Sequence, residues 1–184
     1  GNRVNLAFDM VARFGSHTDI PVGQRSDFIE DWLNVGDDES RHFKMINDRL
    51  AELGSHYGAL TAHDGLWEAA IATKDDIAAR LAIAPLVLEA RGLDVTPGMI
   101  NRLKRAGDGP SAEILETIYQ EEIQHVAAGS RWFHHVCNAR NREPATYFHE
   151  LVQAHYAGNL KPPFNSVARD AANLLRDFYE PLAQ

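Results

Sequence analysis

The chain has 184 residues, 45% of them hydrophobic, and carries 26 acidic against 18 basic residues for a formal net charge of −8. That length and apolar content support one domain with a sizeable core, and the acidic balance argues against a surface that coats nucleic acid. Its one cysteine, Cys137, excludes an internal disulfide framework and fits a reducing cytoplasm. No secretory leader is read at the start, and no apolar run has membrane-spanning length.

Residues 2 to about 14 read as the end of a helix with the apolar line Val4, Ala7, Val11 and Phe14. Gly15 to Gln24, with Pro21 and Gly23, is a loop. Ser26 is placed as the N-cap of a helix that runs to Leu53 and is stopped by Gly54. The 12 residues from Gly54 to Gly65 can extend roughly 40 Å at about 3.3 Å each. The preceding helix is about 42 Å long. The expected path is therefore a long crossover back along a bundle, which sets helices 26–53 and 66–91 parallel. Leu66 to Arg91 reads as one helix on the line Ile77, Leu81, Ala84 and Leu88, kinked at Pro85 and stopped by Gly92. Thr96-Pro97 has the N-cap and N1 pattern of a short helix ending near Ala106. Ser111 opens a long helix to about Asn138. Pro144 to Ala157 and Val167 to about Tyr179 are two more. No strand signal competes. The expectation is a single all-α domain: a bundle core over about 1–140, with additional helices over about 143–180 packed outside it.

Two strings carry the chemistry: Glu39-Ser-Arg-His42 and Glu122-Ile-Gln-His125. Residues three apart on a helix share a face, so one carboxylate and one imidazole can grip one metal ion. A single Glu-x-x-His is as readily an exposed helical pair, or a core pair satisfied by hydrogen bonds. Here both interrupt apolar stripes. Phe28, Trp32, Val35, Glu39, His42, Ile46 and Leu53 follow helical spacing, as do Leu115, Ile118, Glu122, His125, Gly129 and Trp132. A carboxylate buried on such a stripe without a cation is costly. Two such strings, with a lone glutamate on each of two other helices, form the di-metal carboxylate site of ferritin-like bundles.

Glu89, one turn past Pro85, is the natural lone glutamate of the third helix; the alternative is a surface partner for Arg91 or Arg80. A matching glutamate is expected between about residue 6 and a few positions before Gly1, yet none occurs from Gly1 to Ile29. The position just before Gly1 shares the face of Val4, Ala7, Val11 and Phe14, so the fourth carboxylate is expected upstream or absent. The metal position beside Glu39 and His42 should then be the weaker one. Each string is also preceded by an acid, Asp38 and Glu121. A metal-ligating histidine usually gives its other N–H to a carboxylate or carbonyl. Asp38 could orient His125 and Glu121 could orient His42 from across the bundle. Tyr119, one turn before Glu122, is a candidate neighbour of the site or a packing residue. His63-Asp64, His134-His135, His149 and His155 lack helical glutamate partners and read as structural.

His42-Phe43, Tyr57-Gly58, Ala62-His-Asp-Gly-Leu-Trp67, Glu89-Ala-Arg-Gly-Leu-Asp94, and Glu122-Ile-Gln-His125-Val with Gly129 and Trp132-Phe133 together resemble a known group. It is the bacterial ferritin-like family catalogued as a domain of unknown function, number 455. The likeness spans nearly the whole chain. It implies a ferritin-like bundle with a di-iron site and carries over Glu39, His42, Glu89, Glu122 and His125 as ligands. The first-helix glutamate usual in the family is missing here. A more distant likeness is to the bacterial tRNA-modifying di-iron hydroxylase, although no residue specifies a tRNA.

Three functions compete on this reading. The first is an O2-activating di-iron oxidase or hydroxylase acting on an unidentified small molecule. The second is a non-enzymatic iron handler, for which the helices after Pro144 disfavour cage packing. The third is a bundle with an incomplete or empty site. Two iron ions are the expected cofactor of a complete site, with manganese or zinc as alternatives. Neither nucleic acid nor membrane is indicated as a partner, and a homo-oligomer is compatible with the sequence.

Overall fold

The computed structural model describes residues 2–61 and 63–183; Ala62 of the Ala62–Trp67 motif and the expected position before Gly1 lie outside them. Among the described residues every regular element is helical, apart from one isolated bridge between Leu160 and Ala183. No helix of the described residues is long and apolar enough to cross a membrane.

Helix α1 (Asn2–Phe14) buries Leu6, Ala7, Met10 and Phe14. It lies antiparallel to α2 (Arg25–Glu52): Arg3 reaches Glu39 at one end, and a Cβ on Gly15 would approach Ile29 at the other. The start of α2 differs slightly from expectation. A 3-10 turn over Val22–Gln24 leads directly into Arg25, and Gln24 makes no side-chain cap. Ile46 and Leu53, placed on the buried stripe by spacing, are exposed.

The expected helix 66–91 is two elements. The first is α3 (Gly65–Ala72), and the chain then breaks over residues 73–76. Asp76 caps the next helix by accepting from Ala78 N at 3.0 Å. From there α4 (Ile77–Ile83), a π-helical segment (Ala84–Glu89) and α5 (Ala90–Arg105) form one continuous rod. Gly92 does not stop it, and Thr96-Pro97 does not start a new helix. Proline removes one i→i−4 hydrogen bond and crowds the preceding turn. At Pro85 the wider π turn accommodates the ring. At Pro97 the orphaned carbonyl is that of Leu93, and Asn165 Nδ2 donates to it at 3.1 Å. The broken ladder is repaired by a side chain 68 positions downstream.

Helix α6 (Gly109–Ala139) is capped by Asp108, which accepts from Ser111 N at 3.1 Å. It opposes both long neighbours. Arg49 Nε donates to Ser111 Oγ at 2.9 Å and Trp132 Nε1 to Asp31 Oδ2 at 2.7 Å, so α6 runs antiparallel to α2. Lys104 pairs with Glu116 while Pro85 faces Gly129, so α4–α5 is antiparallel to α6 as well. Hence α2 and α4–α5 are parallel. The stretch that returns along them is not the 12-residue connection alone but residues 53–76, with α3 packed on α1.

The C-terminal helices are not an outer layer. All seven residues of α4 are buried, Arg80 among them, because α7 (Pro144–His155) closes the face that α1 and α6 leave open. Phe148 of α7 meets Phe133 of α6 at 6.1 Å between ring centroids, and Phe178 at 5.4 Å. The expected helix 167–179 is split into α8 (Ser166–Ala171) and α9 (Arg176–Tyr179) by Asn173, whose φ of 54° is left-handed. Arg80 donates to Asp9 at 2.6 Å and to Thr73 at 3.1 Å, which ties the buried helix to α1 and to the end of α3.

Candidate metal centre

Three helical segments, α2, the α4–α5 rod and α6, bring their middles to one level, and the first turn of α1 joins them there. Gly129 sets the approach of two of them: a Cβ there would lie 2.5 Å from Pro85 Cβ and 2.7 Å from its Cγ. With no side chain at 129, α6 seats against the π segment, and Glu89 at the end of that segment faces Glu122.

Glu39, His42, Glu89, Glu122 and His125 are all buried, none more than 7% exposed. One ligand-type atom from each of Glu39, Glu122 and His125 lies within 4.8 Å of the others. His125 Nδ1 is 3.5 Å from Glu39 Oε1 and 3.6 Å from Glu122 Oε2, and His42 Nδ1 is 3.7 Å from Glu39 Oε2. The two imidazoles are 5.7 Å apart between ring centroids. Arg80 and Arg91, the surface partners considered for Glu89, pair instead with Asp9 and Asp94.

The outer nitrogens are held crosswise. His42 Nε2 is 2.6 Å from Glu121 Oε2, and His125 Nε2 is 3.1 Å from Asp38 Oδ2. Arg41, between the two residues of the first string, donates to both acids, at 2.6 Å to Asp38 and 3.0 Å to Glu121. The inner atoms have no such partners. His42 Nδ1, His125 Nδ1, Glu89 Oε2 and Glu122 Oε2 are buried without a hydrogen bond. Buried polar atoms are rarely left so. Glu39, Glu122 and His125, two carboxylates and an imidazole within reach of one point, are donors of the kind that a transition metal takes, and outer hydrogen bonds of this kind fix ring orientation around one.

The electrostatics agree with a site built for added positive charge. Burial pushes the Glu89 carboxyl up to about 7; Arg3 opposes the rise, and Glu122 and Glu39 add to it. Burial lowers the His125 imidazole, but Glu122, Glu39 and Asp38 outweigh it and bring it up to about 11. Burial also works against ionising Glu39, yet His125, His42 and Arg3 hold its carboxyl well below the usual range. Protons thus supply the balancing charge that a metal would bring when it displaced them.

Arg3 is the residue that spacing did not single out. Its Nη1 donates to Glu39 at 3.2 Å and also to Glu122. Burial would lower its pKa, but Glu122, Glu89 and Glu39 raise it, so the guanidinium stays charged. A cation therefore stands at the level where a first-helix carboxylate was expected. The signal was present: Arg3 precedes the buried Ala7, Met10 and Phe14 by helical steps, a charged residue on a buried line like the two Glu-x-x-His strings. Tyr119 has an anchor elsewhere, its hydroxyl accepting from Asn165 at 2.9 Å. His63, His134 and His149 bond to backbone groups.

A cavity of about 440 Å³ opens on Glu39, His42 and Glu122, with Phe43, Ile46, Leu66, Leu115 and Ile118 among its apolar walls. A second, of about 500 Å³, reaches Glu89. Arg3 borders both.

Residues 2–180 match the family described as "Protein of unknown function (DUF455)". The chain belongs to this family. It is 39% identical over 168 residues to an uncharacterized protein of Haemophilus influenzae, a match that covers 91% of the chain and 58% of that protein. The chain therefore spans less than two thirds of this relative's length. No solved structure matches it. The DUF455 description names no reaction, so a functional reading of this member rests on the geometry above.

Proposed function

We propose that the chain is a ferritin-like four-helix bundle with a di-metal carboxylate centre, and that it is an O2-activating oxidoreductase, an oxidase or hydroxylase of a small organic molecule. The carrying observation is the buried set Glu39, His42, Glu89, Glu122 and His125, whose inner donor atoms are unpartnered while both imidazoles are held from outside by acids. The parallel arrangement of α2 and α4–α5 supports the ferritin-like reading. Iron is the proposed metal, since carboxylate and imidazole ligands suit it, with manganese or zinc as alternatives. Two irons bound there would supply the electrons and open coordination positions that O2 reduction needs. Hydroxylation would also need an external two-electron donor.

The chain's own groups divide the remaining work. Glu39, Glu89 and Glu122 offset cationic charge. Asp38 and Glu121 keep each imidazole's Nδ1 aimed inward. Phe43, Ile46, Leu115 and Ile118 offer a substrate an apolar wall beside the centre and limit water there. A reducing cytoplasm is the proposed setting, on the single buried Cys137.

A second reading, a centre that holds one ion or none and serves structure, is favoured by Arg3 lying on two of the carboxylates. Metal analysis of protein purified from iron-supplemented cells separates the two. The enzyme reading expects more than one iron per chain and O2 consumption on adding a reductant. One ion or none per chain under every loading condition, with no O2 consumption, would refute the enzyme reading and favour the second.

A further inference from the structure

We infer that the cavity bordered by α5, α8 and the chain between α7 and α8 is a binding pocket for an oxyanion, the carboxylate or phosphate group of a small molecule. Arg169 is its buried anchor, and Arg91 and Lys161 are the cations of its rim. None of the five candidate metal ligands lines it, so the inference stands or falls independently of the metal reading.

The cavity is about 270 Å³. Arg91, Lys161 and Arg169 line it against a single acid, Asp94. That balance is the reverse of the chain's net charge of −8. Val87, Leu88, Leu160 and Phe164 are among the apolar walls. Charge of one sign between low-dielectric walls draws in a counter-ion. Leu88 and Tyr156 also line the cavity that reaches Glu89, so the pocket borders the candidate metal centre without being part of it.

Asp94 does not use up the positive charge. Its side chain is fully buried and both oxygens are taken. Oδ1 accepts from Arg169 Nε and from Asn165 N, each at 2.9 Å. Oδ2 accepts from Arg169 Nη2 at 2.7 Å and from Arg91 Nη1 at 3.4 Å. A carboxylate offers about four lone-pair sites, so none is left for the third guanidinium nitrogen. That nitrogen, Arg169 Nη1, is buried with no hydrogen-bond partner among the described residues. The side chain is 3% exposed, and its Cζ lies 4.5 Å from the Tyr179 ring centroid and 5.0 Å from that of Phe164. The rings and Asp94 hold the fork rigid, but neither gives Nη1 an acceptor. Arg80 is the contrast: equally buried, it has a partner for each of its three nitrogens, in Thr73, Asp9 and the Ala70 carbonyl. A buried donor without an acceptor is rare. An oxyanion in the cavity would supply one through a charge-assisted bond.

The test titrates the full chain, treated with a chelator so that no metal competes for the anion, with acetate and separately with inorganic phosphate. Ionic strength is held constant with chloride. Calorimetry reads affinity, and 15N NMR follows the arginine Nε–H signals. At least one of the two should bind saturably with a Kd of about 1 mM or tighter, shift the Arg169 signal and leave that of Arg80 in place. The tighter of the two assigns the pocket to a carboxylate or to a phosphate group. Lys161→Gln keeps the backbone carbonyl to which Arg91 donates. It should weaken binding by about two- to fivefold, as expected for an exposed charge. Arg169→Lys should weaken it by at least about tenfold. If R169K does not fold, the wild-type NMR and K161Q decide. No saturable binding of either anion, binding that leaves the Arg169 signal in place, or equal affinities for wild type and K161Q would each overturn the inference.

Discussion

Replacing Gly129 by alanine tests the close approach of α6 to the π segment. Two effects of opposite sign compete. Alanine is favoured over glycine inside a helix by about 1 kcal/mol. Against that, the new Cβ would lie 2.5 Å from Pro85 Cβ and 2.7 Å from Cγ, where carbon atoms normally settle about 3.5–4.0 Å apart. Nothing at the contact is the free end of a flexible side chain; the atoms belong to a ring fixed in the backbone. The two segments must then part by about 1 Å, and overpacking of this kind costs about 1–3 kcal/mol. The upper half of that range wins, for a net loss of about 1–2 kcal/mol. At about 2–4 °C per kcal/mol for a chain of this size, the midpoint should fall by about 2–8 °C. Gly98→Ala in α5 is the counterpart, because a Cβ there meets nothing within 4 Å. It should gain up to about 1 kcal/mol from helix propensity. Urea unfolding of the metal-free proteins, with unchanged m-values, reads both. G129A should also bind metal more weakly, since Glu89 follows Pro85 by one turn, whereas G98A should not. A G129A protein as stable as the wild type would refute the packing argument.

Other perturbations address other parts of the centre. Asp38→Asn and Glu121→Gln should each weaken metal binding by about 10–100-fold with little change in helix content, through loss of the imidazole's outer partner; unchanged affinity in both would remove that role. Glu89 has a folded pKa raised to about 7, above its usual value near 4.5. Its ionisation thus opposes folding, and metal-free protein should lose stability as pH rises through that window. Glu89→Gln should remove that component of the slope, and superimposable pH profiles for wild type and E89Q would contradict it. Asn165→Ala strips partners from the Leu93 carbonyl and Tyr119 hydroxyl and should cost about 1–3 kcal/mol in denaturant unfolding; a cost below about 0.5 kcal/mol would mean that Pro97 does not depend on it.

The sequence spoke most clearly where local pattern and burial coincide. Phe28, Trp32, Val35, Glu39 and His42 lie on one face, and that face is buried. The same holds for Ile118, Glu122, His125, Gly129 and Trp132. What stayed hidden depends on distant chain. Pro97 looked like a helix start because its repair comes from Asn165. Gly92 looked like a stop because α5 tolerates glycine on a face with room. The C-terminal helices looked peripheral because nothing in residues 77–83 announces that Arg80 is buried with a partner on α1. On α1 the line Val4, Ala7, Val11 and Phe14 is only half right: Ala7 and Phe14 are buried, Val4 and Val11 only partly, and the buried face turns instead toward Leu6 and Met10, next to Arg3.

The crosswise acids give the centre an unusual division of ownership. Each long helix holds its own histidine by the backbone, while that ring's aim is set by the opposite helix, Asp38 serving His125 and Glu121 serving His42. Neither helix can therefore be exchanged alone. A graft of α6 from a relative with a different residue at 121 would leave its own Glu122 and His125 intact and disturb His42 on α2. Substitutions at 38 and 121 are thus changes to the other strand of a handshake, and Arg41, which grips both acids, is where the two hands meet.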